Sequence, residues 1–189
     1  MQYRSMEKPA ETLSDGEVLL RRWRDEDAET VHRLVNGSLG HLSQWMPWAV
    51  DGYTEQDGAQ FLKVTQAGWH SGESFDYAII APDRVVVGSC GLMARIGPGG
   101  FEIGYWLSKD YTGQGLATRA AELLTVEAFR VGAERVEIVC DVANARSGAV
   151  PKRLGFTEVA KRAADLAGGT SSTGVVAVWR ANHAKSVMP

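Results

Sequence analysis

Gly113-Gln114-Gly115, set between an apolar run and an amphipathic one, is the stretch of this 189-residue chain best suited to chemistry. Glycines let successive backbone N–H groups converge on one spot, and a helix starting at the second glycine adds the positive end of its dipole there. The result is a seat for a phosphate or pyrophosphate. Ahead of it, Phe101 to Leu107 reads as a buried strand; behind it, Leu116, Ala120, Leu123, Leu124 and Ala128 fall on one stripe of a helix. Glu102 stands alone as a carboxylate in the otherwise apolar strand. Either it faces solvent, or it lies near a reaction centre where burial would improve it as a base.

Spacing removes two nucleotide readings of the turn. Gly113-x-Gly115-x-x-Thr118 lacks the third glycine of a dinucleotide fingerprint, and the chain offers one crossover unit where two halves are expected. No Gly-x-x-x-x-Gly-Lys-Ser/Thr loop is present, which argues against an ATPase or GTPase.

The elements that must position the turn follow from periodicity and punctuation. Residues 1–16 read as a loose arm or an early edge segment, and Glu17 to Trp23 as a strand. Asp25 caps a helix over Glu26 to Asn36 that puts Val31, Leu34 and Val35 on one face. Thr54-Glu55-Gln56-Asp57 opens a second helix running to Gly72. Ser74 to Ile80 and Val85 to Ala94 form a hairpin, and Phe101 to Leu107 extends it into a meander. The helix over Leu116 to Val131 leads to a strand at Arg135 to Val142, a crossover that makes this strand parallel to Phe101–Leu107. A short helix from Asn144 to Leu154 follows. Two last strands, Phe156 to Arg162 and Val175 to Arg180, frame a Gly/Ser-rich loop at Gly168 to Gly174. The expected fold class is α/β (α+β): a mixed, mostly antiparallel central sheet with helices on both faces and one β-α-β crossover. One domain is expected over 17–182, between an arm at 1–16 and a tail at 183–189.

Apolar content of 44%, charged content of 23% and a net charge of -3 suit one globular unit and give no basic footprint for nucleic acid. Apolar runs are too short for a membrane span, and the N-terminus lacks the pattern of a signal peptide, so a cytoplasmic location is expected. Cys90 and Cys140 read as buried free thiols. His41, His70 and Glu73 match no ligand spacing, and His32 and His183 sit apart, so no metal is expected.

Four spaced motifs, Glu102-Ile-Gly-Tyr-Trp-Leu, Tyr111-Thr-Gly-Gln-Gly-Leu-Ala-Thr, Asn144-Ala-Arg-Ser147 and Leu154-Gly-Phe156, resemble the GNAT acyltransferases, specifically the RimJ/RimL-like branch. The resemblance runs from about Glu17 to Arg180. It implies the GNAT fold, acetyl-CoA as acyl donor, and an amine acceptor, either a protein N-terminal α-amine or a small amine. Trp106 and Leu107 would offer backbone groups to pantetheine. Amides around Gly113, Gln114, Gly115, Leu116 and Ala117, with the Thr118 hydroxyl, would hold the pyrophosphate. Thr112 departs from the family pattern, which places Gln or Arg there, and removes one long donor. Asn144 would be a pantetheine ligand, a helix cap, or both.

Glu102 matches the proposed base of RimL-type enzymes, acting directly or through water. An α-amine, with a pKa of about 8 against about 10.4 for lysine, needs little help from a base. The tyrosine that serves many GNAT enzymes as acid is replaced by Pro151, and Ser147 matches the serine proposed for that duty in this branch. A thiol with a pKa of about 8.5 needs only a hydrogen-bond donor. Ser147 also fits an ordinary helix start. Pro151 removes the helical bond to the Ser147 carbonyl and loosens that turn. A bulge, with which Gly104 is compatible, would let backbone N–H groups polarise the thioester.

Trp45-Met46-Pro47-Trp48 lies where the family places its acceptor lid. Trp45 and Trp48, with His41 and Phe75, would wall an acceptor groove, or else plug the core or make a homodimer contact. The leading expectation is an N-acetyltransferase. The alternatives are a non-catalytic acyl-CoA-binding or sensory module and a transferase using another donor such as succinyl-CoA.

Overall fold

The computed structural model describes residues 7–182; the tail expected over 183–189 and the first residues of the arm lie outside that range. Among the described residues a single sheet of eight strands has the spatial order β1-β2-β3-β4-β5-β6-β8-β7. The strands are β1 (Thr12–Ser14), β2 (Leu19–Arg22), β3 (Ser74–Ile80), β4 (Val86–Met93), β5 (Gly100–Leu107), β6 (Arg135–Asp141), β7 (Thr157–Ala163) and β8 (Val175–Ala181). Every neighbouring pair is antiparallel except β5 and β6. The expected parallel pair therefore sits on either side of the glycine turn, joined through a helix.

Among the described residues five α-helices accompany the sheet: α1 (Ala28–Asn36), α2 (Leu39–Leu42), α3 (Glu55–Ser71), α4 (Leu116–Arg130) and α5 (Ala145–Arg153). Thr54 and Asp57 exchange side-chain and backbone hydrogen bonds at the start of α3, as the sequence pattern predicts, and left-handed Gly72 ends it. The first helix starts later than expected, because Asp25–Asp27 forms a 3₁₀ turn before it. Within the stretch read as an arm, Thr12–Ser14 is the edge strand of the sheet, antiparallel to β2.

Alternation along the strands divides the core in two. Phe101, Ile103 and Leu107 of β5 share one cluster with Ala120, Ala121, Leu124 and Ala128 of α4. Trp106 of β5 and Ala78 of β3 face the other way, toward Val31 and Val35 of α1, Leu42 of α2 and Leu62 of α3. The helices thus cover both faces. Among the described residues no helix is long and apolar enough to cross a membrane, and Cys90 and Cys140 are buried and free.

Candidate active site

The chemistry of this fold begins where two strands stop pairing. β5 and β6 are in register only from Gly100–Ile103 against Arg135–Ile138, while the remainder of β6 stays paired with β8. From Gly104 to Leu107 the edge of β5 facing β6 therefore has backbone donors and acceptors without a strand partner. The pairing of β5 with β4 continues unbroken through Leu107, so the opening is a divergence of strands and not the bulge expected at Gly104.

A cavity of about 810 Å³ occupies the opening. Trp106 and Leu107 form one wall, and the glycine turn with the first turn of α4 forms the next, contributing Thr112, Gly113, Gly115, Leu116, Ala117 and Thr118. Gly113 and Gly115 both have φ of +79°, a left-handed conformation that a side chain would strain, and a Cβ at either would meet no atom. No side chain caps α4. The leading amides of Leu116, Ala117 and Thr118 consequently face the cavity without intrahelical partners. Gln114 is not part of the wall; its side-chain amide turns back to donate to the Asp110 carbonyl at 3.3 Å.

The opposite wall is the start of α5, with Asn144 and Ser147. Asn144 is a true cap, its Oδ1 accepting the Ser147 N–H at 3.1 Å, and it also lines the cavity. Pro151 cannot donate to the Ser147 carbonyl, and that oxygen is taken instead by the Tyr105 hydroxyl at 3.0 Å. The same hydroxyl lies 3.3 Å from Ser147 Oγ. The loosened turn is thus pinned by a side chain from β5. Burial pushes the Tyr105 phenol well above its usual range, which keeps it neutral.

Three arginines complete the cavity: Arg119, Arg146 and Arg153. Burial, and then the Arg146 charge, lowers the pKa of His41 on α2, leaving a neutral imidazole at the rim. Trp45 lines the same rim. Ser38 holds α2 in place by bonding the Ser108 hydroxyl and the Lys109 amide at the end of β5.

Besides Gln114, three expected site residues lie elsewhere. Phe75 is 3% exposed and packs edge-on to Trp69 and Phe101, because strand alternation turns it into the α4-side core; the expectation that it walls an acceptor groove is corrected. Trp48 is exposed outside the cavity and leans on Tyr53 and Trp106 with ring centroids 5.7 and 6.0 Å away. Glu102 is buried, two residues before the strands part, on the sheet face it shares with Gly104 and Trp106. Arg95 binds both of its carboxylate oxygens.

Sequence reasoning passed over the cavity arginines and Tyr105. A cation in the first or last turn of a helix and a hydroxyl in an aromatic strand are each common, and only their convergence marks them. Asp76, a single carboxylate within the apolar Ser74–Ile80 run, carries the same signal as Glu102 and was also passed over.

Residues 17–157 match the model of the acetyltransferase (GNAT) domain, so the chain belongs to that family. Over 61 residues, 32% of this chain, it is 44% identical to YdaF of Bacillus subtilis (strain 168), provisionally described as a ribosomal N-acetyltransferase; the match spans 33% of that relative's length. The fold is that of RimL, a ribosomal L7/L12 α-N-protein acetyltransferase solved with coenzyme A (TM-score 0.79, 22% identity, 88% of this chain and 94% of that one). It is equally that of MccE, a microcin C7 self-immunity acetyltransferase solved with acetyl-CoA and AMP (TM-score 0.81, 21% identity, 90% and 94% covered).

Proposed function

We propose that this protein transfers the acetyl group of acetyl-CoA to a primary amine, with the α-amine of a protein or peptide as the favoured acceptor class. One observation carries the reading: the parted edge of β5 and the uncapped, glycine-led start of α4 line a single cavity. The α4 amides and Gly113 would hold the pyrophosphate, and Arg146 and Arg153 would supply further positive charge for phosphates, while Arg119 is paired with Asp15 at 2.8 Å. The free edge of Trp106 and Leu107 would pair with the amides of pantetheine as a missing strand would. Its N–H groups would also polarise the thioester carbonyl, where negative charge develops during attack.

Glu102 would accept the amine proton through water. Arg95 occupies one direction at each carboxylate oxygen, but each oxygen has a second lone pair for a bound water. The Ser147 hydroxyl would donate to the departing thiolate, with Tyr105 as the positioning residue that fixes its turn. His41 and Trp45 would form the acceptor rim. Resemblance to YdaF and RimL supports a protein α-amine, and small amines stay in the screen beside it. Two buried free thiols suit a reducing cytoplasm.

Thiol release from acetyl-CoA, followed with a panel of peptides and small amines, tests the reading. The wild-type protein is expected to turn over; Glu102→Gln should lower kcat about a hundredfold and Ser147→Ala at least about tenfold, the scale of a lost proton-transfer group. The Arg95 clamp on Glu102 favours a second reading, a CoA-binding module without catalysis. Tight acetyl-CoA binding with no thiol release on any acceptor would establish that one.

A further inference from the structure

The face of the sheet that carries Glu102, Gly104 and Trp106 holds a carboxylate, Asp76, that neither the proposed reaction nor an ion pair among the described residues uses. Asp76 of β3 lies opposite Gly91 of β4, and Gly91 lies opposite Gly104 of β5, so these three residues form one row across the sheet. Gly104 is the first residue of β5 beyond its pairing with β6. No Cβ stands in the row between the Asp76 carboxylate and the mouth of the opening; what covers Gly104 is the end of the flexible Met93 side chain, whose Cε would lie 3.0 Å from a Cβ there. Strands lie about 4.8 Å apart, which puts the Asp76 and Gly104 backbones roughly 10 Å from each other.

Asp76 is aimed along that row. Its Oδ2 accepts from the Ser74 hydroxyl at 3.0 Å, its only side-chain partner among the described residues. Its Oδ1 lies over Gly91, where it would be 2.5 Å from a Cβ, and it has no protein donor among the described residues. The other acids of the face are committed: Glu102 to Arg95, and Glu137, opposite Glu102 in the parallel register, to Arg180. Gly91 is thus the residue that lets a carboxylate oxygen lean toward β5. Part of the Asp76 surface stays open, so the free oxygen is reachable.

Building on the acyl-transfer reading above, we infer that Asp76 binds the protonated amine of the acceptor and so selects cationic primary amines. A carboxylate oxygen without a protein donor on a partly buried side chain favours an ammonium group, because less solvent competes for it than at an exposed site. Across the glycine row, the carboxylate and the ammonium it holds together span most of the distance to the opening. The acceptor enters charged and is delivered beside the parted edge of β5, close to the Glu102 carboxylate that would take its proton. The recognised chemistry is a primary ammonium on an unbranched approach, since the Asp76 oxygen over Gly91 and the Met93 side chain over Gly104 leave little width there.

The test measures acceptor kinetics of the full chain with two nucleophiles of matched length: a Ser-Ala-Ala peptide amide, cationic at its α-amine, and an uncharged hydrazide. For Asp76→Asn, the peptide KM should rise about tenfold or more, the scale of one charge-assisted hydrogen bond, while the acetyl-CoA KM and the hydrazide kcat/KM stay within about twofold. Ser74→Ala, which keeps the carboxylate, should retain the preference for the cationic acceptor. An unchanged peptide KM in Asp76→Asn, or equal losses for peptide and hydrazide, would overturn the inference while leaving acyl transfer standing; so would loss of the charge preference in Ser74→Ala. A wild-type protein without turnover on any amine would remove both together.

Discussion

Asp76 pays for its position in stability. Burial, the largest influence on it, raises its pKa above the ordinary 3.8, and the Ser74 hydroxyl and the Arg95 charge only partly offset this. Glu102 shares its face, while Tyr77 and Cys90, both pushed up by burial, feel its negative charge from neighbouring positions. Between pH 3.8 and the raised native value, the folded protein holds a proton that the unfolded chain has released. Stability must therefore fall as pH rises through that window and level off above it. Asp76→Asn abolishes this slope, so thermal melts should show the variant more stable than wild type at pH 7 and the gap closing toward pH 4. A variant that melts lower at both values would mean that the carboxylate stabilises the fold. Stabilisation combined with weaker acceptor binding is the pattern of a residue retained for function.

Among the elements, the segment between β7 and β8 has the most to lose from a small change. It runs back to the end of α2, where the Thr170 and Ser171 amides donate to the Ser43 and Gln44 carbonyls, each at 2.9 Å. Asp141 at the end of β6 anchors its far side, accepting from Ser172 Oγ and from the amide and hydroxyl of Thr173 at 2.8 to 2.9 Å. Gly169 makes the strap possible, since a Cβ there would come within 2.3 Å of the Ser43 carbonyl oxygen and 2.4 Å of the Gln44 carbonyl carbon. Both are backbone atoms that cannot swing away. Gly169→Ala should detach the strap, and hydrogen exchange should report faster exchange at Thr170 and Ser171 with β6 and β8 unchanged. Because the strap holds the residues next to Trp45, the same variant should raise the acceptor KM more than the acetyl-CoA KM. Unchanged exchange at those two amides would show that the strap does not depend on the glycine.

At the scale of the molecule, the two helical layers do different work. The layer with α4 closes the larger core and carries the phosphate seat at its leading end; the layer with α1, α2 and α3 roofs the face where Asp76, Glu102 and Gly104 lie. The divergence of β5 and β6 connects the two sides. A donor bridging that gap binds the folded chain and not the unfolded one. At about a hundred times its Kd it should stabilise the protein by roughly 2.7 kcal/mol. For a domain of this size that corresponds to a rise in Tm of about 5 to 10 °C. Calorimetry with acetyl-CoA checks this, and a Tm that ignores saturating acetyl-CoA would contradict the assignment of the cavity.

Local signals in the sequence determined most of the elements, because each rests on neighbours in the chain. The Thr54/Asp57 cap, the strands at Ser74–Ile80 and β5, the glycine turn and the helix after it all follow from periods of two or 3.6 residues and from where glycine interrupts them. Family motifs extended that reading to the donor side of the site, where Trp106, Leu107 and the α4 start come from one continuous stretch. Only the tertiary structure decided what depends on register between distant strands. Strand parity sent Phe75 into the core and its neighbour Asp76 to the opposite face; Arg95 claimed Glu102; Tyr105 took the carbonyl that Pro151 leaves free. The alignment of Asp76, Gly91 and Gly104 joins residues from three strands, and no periodicity within one strand encodes which residue lies opposite which.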